Sequence, residues 1–152
     1  MLFAYRGGAG SFIMDLSRPY QEQELFMFPQ PPDEQGRTYV GYSWSPDGNR
    51  IAGTVYDKNK EVTGIVLYDL KTRQYERLNK EGNGPIWLPD NRRLFYSFNY
   101  KIFLIDSQTK AVRELRFPAG ELVDNPMPSA DGKYLYYTAD SNAESVCMIS
   151  LK

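Results

Sequence analysis

The sequence contains no histidine and a single cysteine, Cys147. Without histidine, the chain by itself offers no Ser-His-Asp or Cys-His catalytic arrangement and no histidine-containing metal site. A single cysteine excludes an internal disulfide and a cysteine-rich zinc site. The commonest hydrolase and zinc chemistries are therefore excluded from these 152 residues.

Long apolar runs and an excess of one charge are also missing. No apolar segment approaches the roughly 18–20 residues that a membrane helix needs, and residues 1–12 lack the long apolar stretch of a secretory signal. Eighteen Lys and Arg balance nineteen Asp and Glu. This near-neutral charge argues against nucleic acid as the main partner, because phosphate binding needs a concentrated basic face.

Aromatic residues, in contrast, are abundant: 12 Tyr, 8 Phe and 2 Trp. Such enrichment favours β-strands. No segment carries a convincing helical pattern, since the best candidate, residues 20–25, is too short. The length suits one domain, and the composition predicts that it is built from strands.

A turn motif repeats three times along the chain. Its aspartates, Asp47, Asp90 and Asp131, lie 43 and 41 residues apart. The fullest copy reads Trp-Ser-Pro-Asp-Gly at 44–48, where proline presets φ and glycine takes a left-handed conformation. Asn91 stands in the glycine position of the second copy, and asparagine is the next most tolerant residue there. The motif predicts a tight turn between two strands.

Each turn is followed by further strands at a regular spacing. Apolar strands end at Asp15, Asp69 and Asp106, and polar turns separate them from the next strand. Four antiparallel strands in about 42 residues form one sheet of each repeat. The first repeat has no counterpart of the first strand, and the last has none of the fourth. The predicted units span 1–29, 37–80, 81–117 and 118–152, with an exposed proline-rich loop at 29–36.

These residues resemble the TolB-like (WD40-like) β-propeller repeat, in which an aromatic-Ser-Pro-Asp-Gly turn joins the first two strands of a blade. The resemblance implies an all-β fold of four-stranded antiparallel blades. At about 42 residues a blade, the chain holds about 3.6 blades, so we expect a partial or open arc. The arc could be the C-terminal part of a longer protein, could close a ring by dimerisation, or could form a tight four-bladed ring.

The residues that could carry chemistry have simpler structural interpretations. We expect Asp47, Asp90 and Asp131 to form turns rather than to bind cations, and the same holds for the strand-end aspartates. Trp44 and Trp87 are expected to pack between blades. Cys147 lies in an apolar strand and is expected to be buried. The glycine-rich segment 7–10 lacks the Lys-Ser/Thr of a phosphate loop and is expected to be a hairpin turn.

The connections that enter each first strand line one mouth of the channel in similar propellers. By that resemblance, partner-binding candidates in this chain are Arg37, Tyr39, Asn83, Asp124 and Asn125. Their mixture of cationic, aromatic, amide and acidic groups suits protein or peptide contact. The proline-rich loop is a second expected contact site.

The leading functional hypothesis is a non-catalytic module that binds a protein or peptide, without cofactor or metal. One alternative is the gating propeller of a prolyl-oligopeptidase-like serine peptidase whose catalytic domain lies outside these residues. Another is the sensory propeller of a regulator. We expect no nucleic-acid contact through this domain and no membrane insertion. The compartment is cytoplasmic if Met1 is the true start, and periplasmic if the chain is part of a secreted TolB-like protein.

Overall fold

A computed structural model describes residues 2–5, 11–31, 36–118, 120–140 and 144–151. In these residues, four antiparallel sheets follow one another along the chain, with three, four, four and three strands. The only helical element in the same residues is a short 3-10 helix, Tyr20–Glu22. The all-β prediction is therefore confirmed, as is the predicted distribution of three-stranded and four-stranded sheets.

Strands pair in simple sequence order within each sheet. The first sheet contains β1 (Leu2–Tyr5), β2 (Ser11–Met14) and β3 (Leu25–Met27). The second contains β4 (Thr38–Trp44), β5 (Arg50–Tyr56), β6 (Val62–Asp69) and β7 (Gln74–Asn79). The third contains β8 (Asn83–Trp87), β9 (Arg93–Phe98), β10 (Lys101–Asp106) and β11 (Val112–Glu114). The fourth contains β12 (Leu122–Pro128), β13 (Tyr134–Asp140) and β14 (Glu144–Ser150).

The repeated turn adopts the predicted backbone conformation in all three copies. Gly48, Asn91 and Gly132 have φ angles of 74°, 58° and 68°. This left-handed region suits glycine and tolerates asparagine. In the first copy, the Ser45 hydroxyl donates a hydrogen bond to Asp47 Oδ1 at 2.5 Å and accepts one from the Arg50 amide at 2.9 Å. The serine and aspartate side chains thus close the turn that aligns β4 with β5.

Apolar side chains from adjacent sheets pack into three separate cores. The core between the second and third sheets includes Leu67, Trp87 and Ile105, and the core between the third and fourth includes Phe95 and Leu135. Every one of these five side chains is at most 5% exposed. The second and third sheets therefore each bury one face against the preceding sheet and the other against the following sheet, as stacked sheets do.

The core between the first and second sheets is mainly aromatic. The Tyr68 ring lies 5.1 Å from Phe28 and 4.8 Å from Tyr75, and Tyr39 contacts Phe28 and Tyr75 at similar distances. Gly53 leaves the space for Tyr39, because a Cβ at Gly53 would lie 2.3 Å from the tyrosine ring. Tilted and edge-on ring pairs of this kind stabilise a core beyond simple area burial.

First strands lie on the inside of the arc. The backbone of β8 lies close to both β4 and β12, whereas in the described residues the backbones of the fourth strands β7 and β11 lie close only to strands of their own sheets. Ser43 links β4 to β8, since its hydroxyl donates to the Pro85 carbonyl at 2.8 Å and accepts the Trp87 amide at 3.1 Å. Within the described ranges, no strand of the first sheet contacts one of the fourth. The four sheets therefore form an open arc.

Candidate functional site

All three first strands begin earlier than the sequence predicts. They start at Thr38, Asn83 and Leu122, and each carries a register shift, at Gly41/Ser43, Asn83/Ile86 and Asp124/Met127. A β-bulge disrupts the alternation of apolar and polar residues that marks a strand in sequence. The segments expected to be connections are thus the bulged beginnings of the inner strands.

This difference corrects the expectation for Tyr39. Its side chain is only 3% exposed, and its hydroxyl donates to the Ile51 carbonyl at 3.0 Å. Tyr39 pairs with the buried Val55 across β4 and β5 and shares its face. Burial raises the pKa of Tyr39 well above its ordinary value. Tyr39 therefore belongs to the core between the first and second sheets and is not accessible to a partner.

Asn83 organises the mouth of the arc where β8 begins. Its side-chain carbonyl accepts the Tyr56 hydroxyl at 2.8 Å, the Thr54 hydroxyl at 3.2 Å and the Gly84 amide at 2.8 Å. The Tyr56 hydroxyl in turn lies 2.8 Å from the Tyr42 hydroxyl. Because the oxygen of Asn83 is fully used inside the protein, only its amide nitrogen is left for a ligand.

The neighbouring hydroxyl of Ser97 has no such partner. Ser97 pairs with Asn83 across β8 and β9 and is 9% exposed. Its Oγ is buried and makes no hydrogen bond within the described part of the chain. Thr54 and Thr138 occupy the same place in the second and fourth sheets, and both use their hydroxyls in hydrogen bonds. A buried hydroxyl left unpaired costs about 1–3 kcal/mol.

A cleft of about 360 Å³ opens at this mouth, and we call it the mouth cleft. Asp124 enters it from β12, and its carboxylate accepts the Asn125 amide at 2.7 Å. The turn between β9 and β10 contributes Tyr100, which is 62% exposed. Its lining consists of Val62, Gly82, Asn83, Ser97, Phe98, Asn99, Tyr100 and Asp124. The cleft thus combines apolar, aromatic, amide, hydroxyl and carboxylate groups from three sheets.

Two of the predicted site residues meet in this cleft and the others do not. Asn83 and Asp124 line it together. Asn125 is exposed beside it, with a φ of 53° and its amide nitrogen 3.2 Å from the Thr138 hydroxyl. Arg37 precedes β4, outside the described lining. Sequence reasoning did not assign Ser97 and Tyr100 to a binding site, because their place in the cleft depends on register and turn geometry.

The repeated aspartates serve the turns, as predicted. Hydrogen bonds from the Ser45 hydroxyl, the Asn49 amide and Asn91 lower the pKa of Asp47 well below its ordinary value. The Ser129 hydroxyl and the Lys133 amide lower the pKa of Asp131 to about 2. Asp69 and Asp106 likewise accept two backbone amides each from the turns that follow them. The described residues contain no group of three potential metal ligands.

The remaining candidates also have structural places. Trp87 packs in the core between the second and third sheets, and Trp44 packs against the core between the first and second sheets. This confirms their expected packing between sheets. Cys147 is half-buried at the edge of the third core. The glycine-rich segment 7–10 lies outside the described residues, as do residues 32–35 of the proline-rich loop. In the described part of that loop, Pro29, Gln30 and Gly36 are exposed and Pro31 is buried, and the Pro29 carbonyl accepts the Tyr75 hydroxyl.

The mouth cleft presents a carboxylate, an amide nitrogen and an exposed aromatic ring to solvent. The chain contains no histidine to activate a serine beside it. A search of the described residues finds no helix with the length and apolar character to cross a membrane.

Comparisons with known proteins identify a similar sequence and similar folds. No protein-family model matches the chain. The Tol-Pal system protein TolB of Nitratidesulfovibrio vulgaris is 38% identical over 79 residues, which cover 48% of this chain and 17% of TolB. The chain thus spans about a sixth of the length of that curated relative. A TolB-assigned protein from Agrobacterium tumefaciens superposes with a TM-score of 0.70 at 17% identity, over 95% of this chain and 58% of that one.

Other propellers superpose similarly. A chain of a nidogen/laminin complex gives a TM-score of 0.67 at 15% identity, over 98% of this chain and 56% of that one. A prolyl endopeptidase gives 0.66 at 14% identity, over 99% of this chain and 28% of the endopeptidase. These likenesses confirm the predicted fold: the four sheets are blades of a β-propeller similar to that of TolB.

Proposed function

We propose that this TolB-like propeller arc is a non-catalytic module that binds a protein or peptide partner in the mouth cleft. The observation that carries the proposal is the mouth cleft itself, where the exposed ring of Tyr100 and the carboxylate of Asp124 line one opening between sheets. A partner that covers the Tyr100 ring removes exposed aromatic surface from water. Burial of this ring therefore favours an occupied cleft.

A peptide fits the composition of the cleft. Tyr100 supplies a large, exposed aromatic surface of the kind that dominates protein interfaces. Asp124 and the Asn83 amide nitrogen supply an acceptor and a donor for an extended peptide backbone. Two similar proteins support the class of partner, because one is named as part of the Tol-Pal system and the other belongs to a nidogen/laminin complex.

A peptide-library selection on the immobilised chain tests the proposal. We expect enriched peptides that bind with micromolar affinity. Tyr100→Ala should raise their Kd about tenfold or more, because it removes the aromatic anchor. Tyr134→Ala is the matched control, since Tyr134 is also an exposed tyrosine but lies on the fourth sheet away from the cleft. Failure to enrich any peptide, or equal losses in the two variants, would contradict the proposal.

A second candidate is the gating propeller of a serine peptidase. It is favoured by the superposition of 99% of this chain on a prolyl endopeptidase. In this case the nucleophile and its base would lie outside these residues. Reading the coding sequence in both directions tests it, because a downstream Gly-x-Ser-x-Gly followed by a histidine would support the peptidase, and a stop codon after Lys152 would contradict it.

A further inference from the structure

The fourth sheet exposes a face that its counterparts bury. Aligning the three turn motifs places Ala52, Phe95 and Tyr136 at the same position of the second strand after the turn. Ala52 and Phe95 are 0% and 1% exposed, because the next sheet covers them. Tyr136 is 40% exposed. The exposures differ because the second and third sheets are each covered by the next sheet, whereas in the described residues no sheet follows the fourth.

The adjacent strand shows the same contrast more strongly. Val146 pairs with Thr138 as Ile65 pairs with Thr54 and Ile102 with Ser97. Ile65 and Ile102 are fully buried, whereas Val146 is 78% exposed. Strand partners share a face of the sheet, and the exposed large apolar side chains of this face are Leu122, Met127, Tyr134, Tyr136, Val146 and Met148. We call this set the trailing face.

The first sheet also exposes an apolar face, on the side that points away from the second sheet. Ile13 and Phe26 point toward the second sheet, so their strand neighbours lie on the outer side. Leu25 and Met27 there are 51% and 49% exposed. The apolar side chains of this outer side are Phe12, Met14, Leu25 and Met27, which pair across β2 and β3. We call this set the leading face.

Each sheet has one side that faces the sheet before it in the chain (its preceding side) and one that faces the sheet after it (its following side). Each of the three cores joins the following side of one sheet to the preceding side of the next. The trailing face is a following side and the leading face is a preceding side. Asp124 and Asp140, acidic residues on the same side of the fourth sheet, lie at the mouth end of β12 and β13, beside Leu122 and beyond the rest of the apolar set. The two faces are therefore the two halves of the interface that the chain already forms three times, and together they continue it.

We propose that the trailing face binds the leading face of a second copy of this chain, so that two arcs close head to tail into one ring. One arc accounts for 58% of the length of the Agrobacterium chain on which it superposes, so a second copy is more than long enough to supply the remainder. In such a pair both faces of each copy are covered, which ends the association at two copies. This contact is separate from the mouth cleft.

Light scattering after size-exclusion chromatography measures the association. We expect the chain to have twice its monomer mass of 17.5 kDa. Val146→Lys should raise the Kd of the pair about a hundredfold or more, because it places a charge in an apolar interface. Val146 is exposed within one copy, so the fold should persist, as near-ultraviolet circular dichroism would show. Val112→Lys, at an exposed valine on β11, is the matched control and should remain paired.

A mixing experiment tests the head-to-tail arrangement. Met27→Lys should also dissociate the pair, because it changes the leading face. When the Val146→Lys and Met27→Lys variants are mixed, one unaltered contact forms between them, and a mixed pair should appear. A monomeric wild-type chain, a mass that keeps growing with concentration, or a Met27→Lys variant that remains paired would overturn the proposal.

Discussion

Asp47 and Asp131 show how one carboxylate closes the turn of a repeat. Each accepts a serine hydroxyl two residues earlier and a backbone amide two residues later. These bonds favour the ionised carboxylate, so they lower its pKa in the folded protein. At the scale of single residues, the repeated aspartates stabilise the fold through their charge state.

This charge state predicts how stability depends on pH. The pKa of Asp131 is about 2 in the folded chain, against about 4 in the unfolded chain. The stabilisation is therefore present above about pH 4 and is lost as the pH falls toward 2. Urea unfolding between pH 7 and pH 2.5 should show this loss, and the double variant Asp47→Asn and Asp131→Asn should show a shallower dependence. Equal slopes in both proteins would contradict the assignment.

Asn91 combines a turn position with a contact between repeats. Its amide nitrogen donates to Asp47 Oδ2 at 2.9 Å, and its side-chain oxygen accepts the Asp47 amide at 3.4 Å. Asn91→Gly suits the φ of 58° but removes both bonds, so the free energy of unfolding should fall by about 1 kcal/mol.

Asn99→Gly is the control for this change. Asn99 has a φ of 49° and makes no side-chain hydrogen bond in the described part of the chain. Its replacement should leave stability unchanged or raise it by about 0.5 kcal/mol. Thermal or urea unfolding measures both variants. An Asn91→Gly variant as stable as Asn99→Gly would show that the bonds to Asp47 do not join the repeats.

At the scale of elements, regular strands follow from the sequence and the bulged beginnings of strands do not. The second and third strands of each full repeat could be predicted because their apolar residues alternate or run continuously between turn motifs. The first strands were also predicted, but their beginnings were missed, because Gly84 and Asn125 take left-handed φ angles inside bulges. The expectation of an exposed Tyr39 failed for this reason, since the residue was assigned to a connection although it already belongs to β4.

The burial contrast between equivalent strands gives an element-scale prediction. Ile65→Ala opens a cavity in the second core and should lower the free energy of unfolding by about 2–5 kcal/mol. Val146→Ala changes the equivalent position of β14, where 78% of the side chain is exposed, and should cost less than about 1 kcal/mol. Urea unfolding of monomeric chain, in the Met27→Lys background, separates this effect from association. Equal losses would contradict the assignment of β14 to an uncovered face.

At the scale of the whole molecule, four sheets stack through three cores into an arc that the described residues leave open. The repeat spacing predicted this architecture, and Asn83 and Asp124 were expected at its mouth. The unpaired hydroxyl of Ser97 was beyond sequence reasoning. Thr54 and Thr138 occupy equivalent positions and are fully bonded, so only three-dimensional register distinguishes Ser97 from them.

Hydrogen–deuterium exchange of the chain with and without a selected peptide tests the central claim, that the arc binds its partner in the mouth cleft. Binding there should slow amide exchange in residues 97–100 and 122–125, because these segments line the cleft and its rim. Exchange in β2, β3 and β14 should not change. Protection confined to those end strands, with none at the mouth, would contradict the account.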